Sequence, residues 1–331
     1  MIDMFTVSIL LVSSLWAMSM GASGFAVSFA TVYSTRKIDF WVCIILFTVS
    51  LGIGAILLGG EVAKTLSSRI IPQELLSSKK WLTVIILFSA GVSLLISNSL
   101  KVPSSTSIII MSSFLGAGIF FANFKVLTFI YFILVSLGCL LLTYFITYFT
   151  MKFLYPPRYE NLWFYEKVIS KKNLMFLIPL VSSIYNAFSI GTNNVPNVVG
   201  PVAVSSIVDI KVGFIIFSLL FGLGAIIFGR GVLKTVSQEV VPIGIFSATI
   251  ISVIASSFTI FASIIGLPFP IVLVIASAII ALSTVKREVS HLYSLKNPVV
   301  RKIFNVWIFS TFFPVFLSFL YCYVFSVLGL L

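Results

Sequence analysis

Three short segments carry most of the usable chemistry of an otherwise apolar chain. Two are Gly21-Ala22-Ser23-Gly24 and Gly191-Thr192-Asn193-Asn194-Val195-Pro196-Asn197. Their amides and hydroxyls donate and accept hydrogen bonds without carrying charge, which suits an oxygen-rich ligand better than proton abstraction or metal chelation. The third, Pro103-Ser104-Ser105-Thr106-Ser107, reads as the start of a helix, with a proline followed by hydroxyl residues. Such a terminus can hold an anion through unbonded amides and the helix dipole. The candidate substrate-binding residues are therefore Ser23, Gly24, Ser104, Ser105, Thr106, Asn193, Asn194 and Asn197, with Gly21, Ala22, Gly191 and Thr192 contributing backbone. Packing competes as an explanation, because small and hydroxyl residues in membrane helices often bond their own backbone or let a neighbour approach. For Ser112, Ser113, Gly116 and Gly118 packing is the better reading.

The acids matter by where they are absent. Asp39 and Asp209 fall at the starts of apolar runs beside basic residues, and Glu61 and Glu239 fall in polar stretches after such runs. None lies inside an expected membrane span, which leaves nothing for general acid-base catalysis or a resident metal and argues against an enzyme. The one histidine, His291, lies in a basic stretch and reads as solvated. Cys43, Cys139 and Cys322 are isolated in apolar runs without ligand spacing, so no cofactor or metal is expected.

The elements that must position these residues follow from composition. The chain has 331 residues, 60% hydrophobic and 9% charged, which rules out a water-soluble protein. Long uncharged runs, each able to span a bilayer, imply a polytopic all-α membrane protein. Runs 4–35, 173–208 and 240–285 exceed one span and must be interrupted. The first half is expected to cross near 5–20, 40–58, 81–98, 104–121 and 126–150, with interrupted or re-entrant helices: one pair of breaks at Gly21–Gly24 and Gly191–Asn197, and a second pair just before Pro103 and Pro268. Asp3 with no basic residue before the first run argues for a retained span rather than a cleaved signal peptide.

Residues 21–72 align with 191–242 at a constant offset of 170, with 16 of 52 positions identical. The pairs include Gly21 and Gly191, Gly54 and Gly224, Lys64 and Lys234, and Pro72 and Pro242. A second match, Lys101–Thr106 with Gly266–Ile271, follows at offset 165. The chain thus reads as a first repeat (1–150), a basic linker (151–172) and a second repeat (173–331). Five crossings are odd, so the second repeat enters inverted. Placing both termini outside puts 15 of the 21 basic residues inside, including those of 151–172 and 285–302, and the opposite orientation reverses the ratio. The net charge of +12 is therefore topological and does not mark nucleic-acid binding. Inverted repeats with matched interruptions are the signature of secondary transporters, whose site lies at the repeat interface near the midplane.

At these segments the chain resembles the inorganic phosphate transporter (PiT) superfamily, with its GANDxAN-type motif in each repeat and Pro-x-Ser-Thr-Thr-type helix start. The second motif matches at Gly191, Thr192, Asn193, Asn194, Pro196 and Asn197. The first departs at Ser23 and Gly24, and with Gly59-Gly60-Glu61-Val62 and Lys64-Thr65 it looks like the sulfate permease branch. The resemblance implies a homodimer in the plasma membrane. It also implies sodium coupling through the motif aspartate, but Gly24 and Asn194 occupy those positions. Hydrogen phosphate must donate a hydrogen bond, whereas sulfate only accepts, so a pocket without carboxylates favours sulfate. The expected function is symport of a tetrahedral oxyanion, with sulfate first, inorganic phosphate second and a passive anion channel third. Protons are preferred to sodium as the coupling cation, carried on Glu61 or on the substrate. Lys64 and Lys234 are expected to snorkel from span ends.

Overall fold

The computed structural model describes residues 3–99, 104–169, 171, 173–287 and 298–331. Lys101, Val102 and Pro103 of the first interruption, Lys172 of the linker, and His291 and Lys296 of the 285–302 loop lie outside them. Among the described residues there are helices and no strands. Inside hydrocarbon a backbone must bond to itself, and a helix does this segment by segment.

The first half comprises α1 (Met4–Tyr33), α2 (Phe40–Leu58), the short α3 (Gly60–Lys64), a π-helical turn (Thr65–Arg69), α4 (Gln73–Ser78), α5 (Lys80–Ser99), α6 (Thr106–Phe120) and α7 (Val126–Leu154). A linker with the one-turn α8 (Leu162–Phe164) leads to α9 (Leu174–Val204), α10 (Ile210–Ile243), α11 (Ile245–Ile264), α12 (Ile271–Arg287) and α13 (Pro298–Val327). Among these, 8 are long and apolar enough to cross a membrane, while α6 and α12 are shorter.

The expected unwinding at Gly21–Gly24 and Gly191–Asn197 does not occur. Helices α1 and α9 run through both segments unbroken, and α9 also absorbs Pro179, Pro196 and Pro201. The glycines serve close crossing. A Cβ on Gly21 would lie 2.1 Å from the Phe221 carbonyl oxygen, and one on Gly191 would lie 1.9 Å from that of Leu51. The partners obey the same rule, since Gly54 abuts the Phe188 carbonyl at 2.1 Å and Gly224 that of Met18 at 2.0 Å. All four contacts map onto one another at the offset of 170, so α1 crosses α10 as α9 crosses α2. Small residues allow this approach, and no backbone has to leave the helix.

Of the two expected pairs of breaks the second is the one present, between α5 and α6 and between α11 and α12. They also revise the crossing count. Trp81 at the start of α5 meets Phe325 at 5.8 Å, Phe88 meets Tyr321 at 5.4 Å, and Phe120 at the end of α6 meets Phe319 at 5.5 Å. Both ends of the α5–α6 pair therefore sit at the C-terminal end of α13, and the pair is a hairpin that returns to the face it left. The α11–α12 pair does the same from the opposite face, with Phe246 at 4.9 Å from Phe164 and the Lys286 ammonium 5.9 Å from the Tyr155 ring. Crossings per half fall from five to three, namely α1, α2 and α7, then α9, α10 and α13. Three is odd like five, so the parity argument for inversion is unchanged. Phe5 contacts Trp81 at 5.8 Å, which puts the start of α1 and the end of α13 on one face.

Candidate functional site

The two hairpins approach the middle of α9 from opposite faces and meet there around Asn193. Its amide joins three elements. Nδ2 donates to Ser263 Oγ of α11 at 3.1 Å and to the Leu267 carbonyl at 3.0 Å. Oδ1 accepts from the Phe269 amide at 2.8 Å and from Ser107 Oγ of α6 at 3.1 Å. Asn197, one turn on, donates from Nδ2 to the same Ser107 hydroxyl at 3.3 Å. Thr192 bonds Ser263 Oγ at 2.9 Å and so supports the cluster through its side chain as well as its backbone.

The start of α6 lies in this cluster. Ser105 is its N-cap, accepting from the Ile108 amide at 3.4 Å, and Thr106 and Ser107 occupy the first turn, whose N–H groups have no acceptor within the helix. Ser104, Ser105, Thr106 and Ser107 are all buried. Three buried atoms here have no hydrogen-bond partner: Ser104 Oγ, Asn194 Oδ1 and Asn197 Oδ1. Eight further buried side-chain atoms among the described residues, Trp16 Nε1 and Thr143 Oγ1 among them, also lack a partner, so what sets these three apart is their grouping beside Asn193 and the start of α6. The cluster is also uncharged. Among the described residues, every buried polar side chain is Ser, Thr or Asn.

The first-half segment approaches without entering the hydrogen-bonded cluster. Gly24 faces Ile190, with its Cβ position 3.4 Å from that side chain, and Ser28 donates to Asn186 at 3.0 Å. That antiparallel register brings Met20 and Gly21 level with Asn193 and Asn194. Ser23 is half-buried nearby, its hydroxyl bonded to the Met20 carbonyl at 3.0 Å. Gly21, Gly191 and Ala22 are helical and packed, so none of them lends a broken backbone.

Ser107, Ser263 and Asn186 are polar members that sequence reasoning did not nominate. Asn186 bridges Ser28 of α1 and Ser252 of α11 at 3.0 Å each. It stands seven residues, two helical turns, before Asn193, so helical periodicity could have found it. Ser263 matches Asn98 at the offset of 165, a polar pair that the repeat could have flagged.

On the face that holds the termini, Glu61 sits on α3 between Lys64 at 2.5 Å and Arg69 at 2.9 Å. The Lys64 side chain is exposed, and its ammonium pairs with Glu61. The two cations keep the Glu61 carboxyl below the usual carboxylate range, so it stays ionised at neutral pH and is a poor proton carrier.

Residues 20–318 match the phosphate transporter family. Sulfate permease CysP of Bacillus subtilis (strain 168) is 30% identical over 320 residues, covering 94% of this chain and 85% of the relative. A solved structure described as the sodium-dependent phosphate transporter superposes with a TM-score of 0.80 at 18% identity, covering 98% of this chain and 100% of the other. At that identity the likeness concerns the fold alone. With nearly its whole length matched, this chain is a membrane-transport protein that belongs to the phosphate transporter family.

Proposed function

We propose that the protein is a secondary transporter importing a tetrahedral oxyanion, with sulfate the preferred substrate and protons the coupling cation. The observation that carries this reading is the uncharged, buried cluster at Asn193 and the start of α6, where the Ser104 hydroxyl has no partner and the first-turn amides have no acceptor within the helix. Hydroxyl and amide donors with a helix N-terminus match a ligand that only accepts hydrogen bonds. Ser23, Gly24, Ser105 and Thr106 complete the proposed lining. The relative named a sulfate permease supports the same substrate. Inorganic phosphate is the second reading, favoured by the likeness to the solved sodium-dependent phosphate transporter.

The two inverted repeats are proposed as 1–150 and 173–331, joined by the basic segment 151–172. The linker lies in the cytoplasm and both termini outside, in the plasma membrane, and a homodimer is the expected assembly. Tyr159 is 94% exposed in the linker, and a cysteine placed there should react with an impermeant thiol reagent only from the cytoplasmic side. The substrate is tested in proteoliposomes with labelled sulfate and phosphate, each against excess of the other. Sulfate uptake that phosphate competes weakly is expected, and phosphate uptake resistant to excess sulfate would reverse the assignment.

A further inference from the structure

A cavity of about 310 Å³ opens beside the tip of the second hairpin, on the face that holds the termini. It is lined by Thr65, Arg69, Thr128 and Tyr131 among others, with Gly266 and Leu267 as its inner wall. Leu267 has two roles, because the carbonyl of this wall residue is the one Asn193 bonds at 3.0 Å. The hairpin tip is thus a partition one residue thick between the cavity and the buried cluster.

The rim is cationic. Arg69 reaches Glu61 at 2.9 Å and Thr65 Oγ1 at 3.4 Å, Lys64 shares Glu61, and the Lys125 ammonium rests on the Ser68 carbonyl at 3.0 Å. Three cations against one carboxylate leave the mouth positive, which concentrates anions there. The π-helical turn Thr65–Arg69 aims Arg69 over the tip, and such turns recur at functional sites. The fit is close. Gly266 has φ +76°, and its Cβ position lies 3.0 Å from an Arg69 guanidinium nitrogen and 3.1 Å from Thr65 Oγ1. The arrangement is particular to this face, because Glu61 and Arg69 are matched at the offset of 170 by Gly231 and Glu239.

We propose that this cavity is an outer binding site for the transported oxyanion, in which the Arg69 guanidinium releases Glu61 and takes the anion together with the Thr65 and Tyr131 hydroxyls. The inference rests on the oxyanion-transport reading above and adds an entry site with its own recognition residue. A guanidinium fork suits a tetrahedral oxyanion, and Lys64 remains as partner for the released Glu61 carboxylate.

The test uses the full-length protein carrying Thr128→Cys, the three native cysteines being buried. Labelling by a cationic, impermeant thiol reagent is followed with sulfate, phosphate or chloride at equal ionic strength. Slower labelling with sulfate or phosphate than with chloride, lost in the Arg69→Gln background, is the expected result. Equal labelling in all three salts overturns the proposal. In transport, Arg69→Gln should raise KM for sulfate at least about tenfold with little change in maximal rate, and Arg69→Lys should recover part of it. An unchanged KM also overturns the proposal. If the wild-type protein carries neither anion, the transport reading fails, while protection at Thr128→Cys still reports on the cavity by itself.

Discussion

Asn193 and Asn194 are neighbours in sequence with opposite energetic roles. Asn193 holds both lone-pair and donor partners on three elements, so Asn193→Ala leaves the Phe269 amide, the Leu267 carbonyl and two hydroxyls short of a bond. Each such loss costs about 1–3 kcal/mol when buried, so the variant should lose transport and also melt earlier. Asn194 Oδ1 has no protein partner, so Asn194→Ala removes no hydrogen bond from that oxygen. It should reduce sulfate uptake at least about tenfold at wild-type melting temperature, because it removes the Nδ2 donor, and a hydrogen bond from such a donor to a charged ligand contributes about 1.5–3 kcal/mol. Parallel uptake and thermal-shift measurements separate the two, and an Asn194→Ala protein with full uptake would return Asn194 to packing. At this scale the sequence was informative about residue type and nearly silent about direction. Asn193, Asn194 and the hydroxyls before α6 stood out because polar groups are rare in such a chain. That Ser23 bonds its own helix, and that Ser107 rather than Ser105 reaches Asn193, depends on rotation about helix axes that spacing alone does not define.

The same glycines that suggested broken helices turn out to lock intact ones together. Gly21 and Gly191 touch carbonyls of α10 and α2 at Cβ distances of 2.1 and 1.9 Å, and both crossings join one half of the chain to the other. Gly21→Ala or Gly191→Ala must therefore separate two long helices, at a cost of about 1–3 kcal/mol or more for overpacking. Gly138→Ala has open space around it and should be silent. Folded yield and melting temperature after detergent extraction check this, and a well-folded Gly191→Ala would contradict the packing role. Periodic polarity at Gly191–Asn197 fits either an unwound segment or a helix crossing with side-chain bonds, and only the position of Leu51 and Ser263 decides between them. Hydropathy likewise measures length and not direction of travel. The α5 and α11 helices are long enough to cross, and it takes Phe325 beside Trp81 and Tyr155 beside Lys286 to show that each belongs to a returning hairpin. The offset of 170 was legible throughout because identities such as Gly54 with Gly224 survive where the contacts they make are equivalent.

For the molecule as a whole the decisive quantity is charge moved per cycle. Carrying one elementary charge across 100 mV involves about 2.3 kcal/mol, so importing a dianion against a negative interior costs about 4.6 kcal/mol before any concentration gradient. Accumulation therefore needs at least two accompanying cations for neutral transport. The structure narrows where they can ride. Glu61, the acid nearest the hairpin tip, has its pKa lowered by Lys64 and Arg69. A lowered pKa keeps the carboxylate ionised at pH 7 and binds a proton only as pH falls well below the usual carboxylate range, so Glu61→Gln should leave proton coupling intact. Hydroxyls and amides do not titrate near neutral pH, so coupled protons would then need a carrier other than Glu61 and other than the Asn193 cluster. Sodium would instead require oxygen ligands, and the cluster has them: Asn194 Oδ1 and Asn197 Oδ1 lack partners, and Pro196 and Pro201 cannot donate to the carbonyls of Thr192 and Asn197. The two cations are separated by sulfate uptake into vesicles under an inward pH gradient without sodium, then under a sodium gradient at equal pH. Stimulation by the pH gradient in both wild type and Glu61→Gln is expected. Stimulation by sodium alone would sink proton coupling and assign the cation to those four oxygens, with Asn194→Ala then expected to raise the sodium concentration needed for half-maximal uptake.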